Sequence, residues 1–169
     1  MTLTLRHATL DDLHPVGALH HRSRVATYSA FLPVEALAEP SAQAMGAYWA
    51  ERWVWERDDH LMTVAERDGQ LVGFSYLGPD DGGDPATGLL NALHLDPAER
   101  GRGTGRLLMV DALAVMRDRA WRRATLWVLE RNTLARRFYE RGDWRPTGER
   151  RTDRIGTIPT TQLRYHRPV

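Results

Sequence analysis

The chain of 169 residues contains neither cysteine nor lysine. Without cysteine, disulfides, thiolate metal sites, iron–sulfur clusters and a cysteine nucleophile are all excluded. Without lysine, all 23 basic residues are arginine, so neither a lysine Schiff base nor a P-loop lysine can operate. Any chemistry must therefore come from other side chains or from the backbone.

Long apolar runs and an excess of charge are also missing. No run approaches the roughly 18 apolar residues of a membrane span, and the first residues lack the apolar core of a signal peptide. The net charge is +1, and no basic patch is interleaved with aromatic residues, so no nucleic-acid partner is expected. The histidines show no metal-ligand pattern with carboxylates. We therefore expect a cytoplasmic protein that binds no membrane, nucleic acid or metal.

The length and the ordinary share of apolar residues fit one domain over residues 1–169. Hydrophobic periodicity predicts the order β-α-α-β-β-β-α-β-α-β-β, which is an α/β fold with a mixed sheet and helices on both faces. The second helix is interrupted near Pro40 and Ser41. The predicted strands are 3–5, 60–65, 71–77, 89–95, 124–129, 144–150 and 157–165, and the predicted helices are 11–27, a stretch ending near 57, 104–119 and 132–141.

A glycine-rich turn follows the most apolar strand, Leu89–Leu95. Three alternating glycines, Gly101, Gly103 and Gly105, lead directly into a helix. Glycine lets the backbone approach a ligand closely, and the first N–H groups of a helix favour an anion. The turn is therefore interpreted as a cradle for a phosphate or pyrophosphate, and the alternative is a surface turn that only caps the helix. The cradle residues are Arg100, Gly101, Arg102, Gly103, Thr104 and Gly105.

Two common phosphate-binding motifs do not fit this turn. The Walker motif needs a lysine after its last glycine. The dinucleotide motif needs a glycine where Arg106 stands.

The turn resembles the R/Q-x-x-G-x-G/A signature of the GCN5-related N-acetyltransferases (GNAT family). The segments Leu126–Asn132 and Phe138–Trp144, with Ala135 between them, are similar to the family's next strand, helix and strand. The resemblance implies a mostly antiparallel twisted sheet of the GNAT type and an N-acetyltransferase that uses acetyl-CoA. It further implies that the pyrophosphate binds the amides of the turn. The pantetheine arm is then expected beside the backbone of the central strand, where a bulge parts it from the next strand, at Leu93, His94 and Leu95.

The short helix after residue 132 carries the predicted catalytic residue. Asn132, Ala135 and Tyr139 share one helix face, whereas Phe138 turns toward the core. By resemblance, Asn132 contacts the pantetheine and Tyr139 protonates the departing thiolate; the alternatives are a helix N-cap and simple packing. Ala135 and Arg136 complete the expected cofactor contacts, Arg136 by way of the CoA 3′-phosphate.

The usual base of the family is missing. Many members place a glutamate at the position of Leu89. His94, Glu35 or a water chain is left as the group that takes the proton of the amine. Because no side chain is singled out, a non-catalytic acyl-CoA-binding module stays an alternative to an enzyme.

The first half of the chain is where the family builds its acceptor site. The predicted acceptor is a small-molecule primary amine, with a peptide or protein α-amine as the alternative, and a homodimer is left possible. Two sets of residues are candidates for contacts with the amine, although a core helix and a solvated loop are the competing interpretations. They are the aromatic residues Tyr28, Trp49, Trp53 and Trp55 and the acidic residues Asp80, Asp81 and Asp84.

Overall fold

The computed structural model describes residues 2–169, and its elements follow the predicted order. The second predicted helix is in fact two, and Ser41 begins the longer one by accepting a hydrogen bond from the Ala44 N–H. The strands are β1 (Leu3–His7), β2 (Leu61–Arg67), β3 (Gln70–Pro79), β4 (Thr87–Leu95), β5 (Arg123–Leu129), β6 (Arg145–Ile155) and β7 (Ile158–Pro168), and the helices are α1 (Leu13–Tyr28), α2 (Val34–Leu37), α3 (Ala42–Glu56), α4 (Thr104–Asp118) and α5 (Thr133–Arg141).

One sheet holds all seven strands in the order β1-β2-β3-β4-β5-β7-β6. Neighbouring strands in this sheet are antiparallel, except for β4 and β5, which are parallel and are connected by α4. The predicted mixed, mostly antiparallel sheet is therefore confirmed.

The two faces of the sheet bury separate cores, and the predicted placement of helices on both faces is confirmed. Helices α1 and α3 pack on β2, β3 and β4 through Leu19, Trp49 and Phe74. Helix α4 packs on the other face through Leu108, Met109 and the residues of its inner side, and α5 follows it there. Helices α1 and α3 reach across the sheet as far as Ala92 of β4.

An extra residue in β4 breaks its pairing with β3. Tyr76 pairs with Ala92, but the next pair is Leu77 with Leu90, so Asn91 is left over as a bulge. A bulge bends the strand and increases its local twist.

The bend separates β4 from β5. Their pairing covers only Thr87–Leu90 against Arg123–Leu126. Beyond it, β5 stays paired with β7 as far as Leu129, whereas β4 runs to Leu95 without a partner on that side. The bulge and the parted strands that the resemblance implied are both present, and the gap between them opens toward the glycine-rich turn.

Helices α1 and α3 cross at two glycines, Gly17 and Gly46. A Cβ atom on Gly17 would overlap the backbone of Met45 and Gly46, whereas one on Gly46 would meet mainly the ring of His14. Since His14 is exposed, its ring can rotate away. The crossing therefore tolerates a side chain much less at Gly17 than at Gly46.

We expect Gly17→Ala to lower the free energy of unfolding by about 2 kcal/mol, because overpacking against backbone outweighs the roughly 1 kcal/mol that alanine gains in a helix. Gly46→Ala is the matched control and is expected to be near neutral. Urea denaturation of both variants checks this. Equal effects in the two variants would contradict the close backbone contact.

Candidate active site

The glycine-rich turn has the geometry of an anion site. After β4, the short helical turn Pro97–Glu99 leads to Gly101 and Gly103, which have φ angles of 76° and 86°. This left-handed region strains any residue with a side chain. A Cβ atom on either glycine would meet nothing within 4 Å. The space beside the turn is therefore open to a ligand.

The backbone N–H groups of residues 101–106 face this space without partners. None of them donates a hydrogen bond to another group within residues 2–169. Gly103 is the residue that begins α4, so the last three of these groups belong to its first turn. Free amides at a helix N-terminus attract an anion. Arg102 and Arg106 are exposed nearby, and Arg100 donates to the Thr27 hydroxyl at 2.5 Å.

A buried carboxylate holds the turn in place, and the sequence analysis missed it. Glu99 is 3% exposed. Its Oε1 accepts from the Thr104 hydroxyl at 2.6 Å and from the Arg67 Nε at 3.0 Å, and its Oε2 lies 3.4 Å from Arg102. The hydrogen bond from Arg67 is the main cause that lowers the pKa of Glu99. In the sequence, the only feature that marks Glu99 is that an acidic residue stands next to the arginines of the turn.

Leu93, His94 and Leu95 lie on the unpaired end of β4, as predicted. Leu93 packs toward the α4 core. His94 points to the opposite face, where its ring stacks on Phe74 and lies 4.2 Å from the ring of His20. The backbone of these residues is therefore available along the gap, while their side chains are engaged on either side.

The histidine pair is neutral. Trp49 donates its indole N–H to the Nδ1 of His20 at 3.1 Å, so His20 carries its proton on Nε2. Burial, with a smaller effect of Arg100, lowers the pKa of His94 to about 4. The Nδ1 of His94 lies 3.2 Å from the Ser23 hydroxyl. These contacts are those of a packed histidine.

Helix α5 and its N-cap carry four of the predicted site residues. The Asn132 Oδ1 accepts from the Ala135 N–H at 3.2 Å, so Asn132 is a helix N-cap. Ala135 and Tyr139 pack against the α4 core. The Arg136 guanidinium donates to the Tyr165 hydroxyl and to the Glu130 carbonyl, so the structure gives Arg136 an internal role.

Tyr139 differs from the tyrosines that hold the fold together. The hydroxyls of Tyr48, Tyr76 and Tyr165 are hydrogen-bonded, whereas those of Tyr28 and Tyr139 have no partner within residues 2–169. Burial raises the pKa of Tyr139, and Tyr28 adds to the rise. Tyr28 ends α1, on the other face of the sheet from α5. The effect of Tyr28 on the pKa of Tyr139 indicates that the two phenols lie within electrostatic reach of each other.

The position of the family's usual base offers none here. Leu89 is buried and pairs with Gly78 and Thr125, with no carboxylate in its place. Glu35 is exposed on α2.

The interpretation of the loop after β3 as solvated is wrong for Asp80. Asp80 is 8% exposed, bonded to the Thr125 hydroxyl at 2.9 Å and to Arg164 at 2.6 Å, so it is structural rather than solvated. Asp84 caps its own loop through Thr87, and Asp81 accepts from the Trp127 indole.

The three tryptophans of α3 differ in how far they are buried. Trp49 belongs to the core and Trp53 packs against it, whereas Trp55 is 80% exposed. Core packing is therefore the correct interpretation for the first two.

Residues 28–142 match the model of the acetyltransferase (GNAT) family. This is more than half of the chain, and the chain belongs to that family. The assignment made from the glycine turn is confirmed, as is the enzyme class, acyltransferase.

Individual relatives agree with this assignment. A mycothiol acetyltransferase of Thermobispora bispora is 41% identical over 80 residues, which are 46% of this chain and 27% of that protein. An uncharacterised N-acetyltransferase of Archaeoglobus fulgidus is 36% identical over 97 residues, 56% of this chain and 66% of the relative. The chain thus spans only part of these relatives.

Solved structures share the whole fold. The PaiA N-acetyltransferase of Thermoplasma acidophilum, solved in complex with coenzyme A, superposes with a TM-score of 0.83 over 100% of both chains at 18% identity. No helix among residues 2–169 is both long and apolar enough to cross a bilayer. Within the same residues, no three acidic or histidine side chains gather in a way that suits a metal ion.

We expect Glu99→Gln to lower the free energy of unfolding at pH 7 by about 1.5–3 kcal/mol, because hydrogen bonds from a charged partner are lost or weakened. The lowered pKa of Glu99 means that its charge stabilises the fold above about pH 4.3, the ordinary value for glutamate, and that this contribution disappears as the pH falls through the folded-state pKa. The variant should therefore lose less stability than the wild type on acidification.

Urea denaturation at pH 7 and pH 3.5 measures both effects. Glu66→Gln is the control, since Glu66 also pairs with an arginine but is more exposed. An unchanged acid dependence in Glu99→Gln would contradict the assigned role.

Proposed function

We propose that the protein is an acetyl-CoA-dependent N-acetyltransferase that acetylates a primary amine of a small molecule. The observation that carries this proposal is the row of partnerless amides at residues 101–106, which follows the end of β4 that is unpaired with β5. Family membership supports the same reaction class.

The residues of the turn and of β4 fit acetyl-CoA. Residues 101–106 would hold the pyrophosphate through their N–H groups, and the unpaired edge of Leu93–Leu95 would hold the pantetheine amides as an added strand does. Asn132 and Ala135, at the start of α5, would contribute further contacts to the cofactor. When bound, acetyl-CoA supplies an acetyl group activated as a thioester. The absence of cysteine favours direct transfer to the amine.

Tyr139 is proposed as the acid that protonates the CoA thiolate. Its raised pKa keeps the phenol protonated at neutral pH, and its hydroxyl has no competing partner within residues 2–169. The ring is fixed by Phe138 and Trp144, whose centroids lie 5.5 and 6.0 Å away. Tyr139 is therefore oriented without being engaged.

Water is the favoured acceptor of the proton that the amine loses. Leu89 offers no carboxylate, and His94, with a pKa of about 4, is a weak base that packing already holds. Glu35 points to solvent on α2. The protein would then bind the amine in its neutral form.

The cover of the cleft favours a small acceptor over a peptide. The turn between β6 and β7 reaches α2, where a Cβ atom on Gly156 would lie 3.1 Å from the Ala36 carbonyl oxygen. The contact joins the β6–β7 turn to α2, and we infer that it narrows the access of an extended chain. The mycothiol acetyltransferases among the relatives are named for a small-molecule product. A cytoplasmic location and a homodimer remain expectations.

A non-catalytic acyl-CoA-binding module is the second candidate, because Leu89 replaces the family's usual base. Screening amine acceptors with thiol detection of released CoA separates the two. Turnover of any amine establishes the enzyme, and tight acetyl-CoA binding without turnover favours the module.

We expect Gly103→Val to weaken acetyl-CoA binding by tenfold or more, about 1.4 kcal/mol, because the side chain blocks the approach of the pyrophosphate to the amides. Gly148→Val is the matched control: Gly148 also has a positive φ, 92°, with nothing within 4 Å, but lies on β6 at the far edge of the sheet.

Isothermal calorimetry on both folded variants provides the measurement, and circular dichroism verifies the fold. Unchanged affinity in Gly103→Val, or an equal loss in the control, would refute the cradle.

Removing the Tyr139 hydroxyl tests catalysis separately from binding. We expect Tyr139→Phe to lower kcat by about 10²-fold, the low end for general acid catalysis, because a thiolate is a tolerable leaving group. The acetyl-CoA affinity and Tm should hardly change, because the ring still fills its place.

Steady-state turnover with an accepted amine is compared with that of Tyr48→Phe, which loses a hydroxyl on α3 away from the gap. Full activity in Tyr139→Phe would show that the tyrosine only packs.

A further inference from the structure

The pairing of β4 with β5 ends at one point, and Asn91 stands there. Leu90 pairs with Leu126, and no later residue of β4 pairs with β5. Asn91 is the next residue of β4, and it is also the residue that the pairing with β3 skips. We call this point, from which the two strands diverge, the vertex of the gap.

The thioester of a bound acetyl-CoA is expected at the vertex. The pyrophosphate would occupy the turn at residues 101–106, and the two amides of the pantetheine arm would pair along Leu93–Leu95. The thioester follows these amides on the side away from the pyrophosphate. Continuing along β4 in that direction leads from Leu93 to Asn91 within about 7 Å.

The carboxamide of Asn91 is held at the vertex and has one free atom. Its Nδ2 donates to the Leu89 carbonyl at 3.3 Å, which fixes the group beside the last paired residues of β4. Its Oδ1 accepts no hydrogen bond from residues 2–169, and this atom of the half-buried side chain is accessible to solvent. An amide oxygen accepts up to two hydrogen bonds, so a ligand at the vertex can donate one to it.

Two polar side chains of β5 flank the vertex, and both are already engaged. Trp127, the first residue beyond the pairing, donates its indole N–H to Asp81 at 2.9 Å. The Thr125 hydroxyl donates to Asp80 at 2.9 Å. Both carboxylates also pair with Arg164, at 2.6 Å for Asp80 and 3.6 Å for Asp81. Neither carboxylate is left free to hold an ammonium ion.

We propose that Asn91 binds the acceptor amine, with its Oδ1 accepting a hydrogen bond from the neutral amino group at the vertex. The proposal rests on the acetyltransferase activity proposed above and adds a substrate-binding residue to it. With one N–H directed at Asn91, the lone pair of the amine can face the thioester carbonyl carbon. As the N–C bond forms and the C–S bond breaks, Tyr139 gives its proton to the sulfur, the amine loses one to water, and solvent returns one to Tyr139.

The carboxamide selects the protonation state of the amine. A charge that leaves water needs a compensating charge in the protein, and an amide oxygen supplies none. An amine that is protonated in solution must therefore release a proton when it binds. Its affinity is expected to fall as the pH falls below the pKa of the amine.

Two substitutions separate amine binding from the structural bond to Leu89. Asn91→Ala removes both the Nδ2 donor and the Oδ1 acceptor, whereas Asn91→Asp removes the donor and keeps an oxygen acceptor. A purely structural role predicts damage in both variants. Gln43→Ala is the control, because it deletes an exposed carboxamide on α3.

We expect Asn91→Ala to lower kcat/KM for accepted amines about tenfold, mainly through KM, because one hydrogen bond to the ligand is lost. The acetyl-CoA affinity should hardly change. Asn91→Asp should keep most of the wild-type kcat/KM and move its pH profile to lower pH, because a carboxylate also holds the ammonium form. Gln43→Ala should match the wild type. Equal losses in both Asn91 variants, or a parallel loss of acetyl-CoA affinity, would show that Asn91 only shapes the bulge.

Calorimetry without turnover keeps this test separate from that of the enzyme activity. The amines n-butylamine and 2-phenylethylamine, both protonated at pH 7.5, are titrated into the CoA-saturated wild type and Asn91→Asp. Two buffers of different ionisation enthalpy give the number of protons released on binding. We expect about one proton per amine with the wild type and close to none with Asn91→Asp.

That result supports Asn91 even if no amine is turned over, which would refute only the acetyltransferase. Absence of amine binding to the wild type, or equal proton release in the two proteins, overturns the proposal.

Discussion

The rest of the site depends on one irregularity, the extra residue Asn91 in β4. Backbone N–H and C=O groups inside a sheet normally pair with a neighbouring strand, and an unpaired edge in the middle of a sheet is costly unless something else pairs with it. The bulge forces such an edge on β4 beyond Leu90, while β7 keeps β5 fully paired. The sheet therefore has an unpaired strand edge near its centre, with which an extended ligand that carries amide groups can pair.

The same opening brings together groups from both faces of the sheet. Tyr28 is the last residue of α1, and Tyr139 belongs to α5, so an intact sheet would separate them. Because the strands part, the unpaired edge of β4 leads directly to the amides at the start of α4. Buried carboxylates support this region: Glu99 accepts a hydrogen bond from Thr104 in the turn, and Asp80 with Arg164 joins the loop after β3 to β7. These supports are arginine–carboxylate pairs, whose planar geometry holds two elements in a fixed relation.

The sequence was informative where the chemistry is local. The alternation of Gly101, Gly103 and Gly105 after an apolar strand predicted the turn, and the periodicity predicted the order and approximate bounds of nearly every element. The bulge entered only through family resemblance, since nothing about Asn91 itself marks an extra residue. Glu99 and Asp80 escaped because their partners are distant in sequence: Arg67 lies 32 residues before Glu99, and Arg164 lies 84 residues after Asp80. A charged residue in a loop sequence looks solvated until the fold supplies its partner.

Strand β6 has a consequence for how the molecule meets its own copies. It is the outermost strand beyond β7, and all but its last residue are exposed. An exposed edge invites another chain to add a strand, and proteins oppose this with charge, proline and local irregularity. β6 has all three: a register shift between Pro146 and Arg150, and four arginines beside two acids along its length. Two molecules that meet are therefore not expected to extend the sheet through β6.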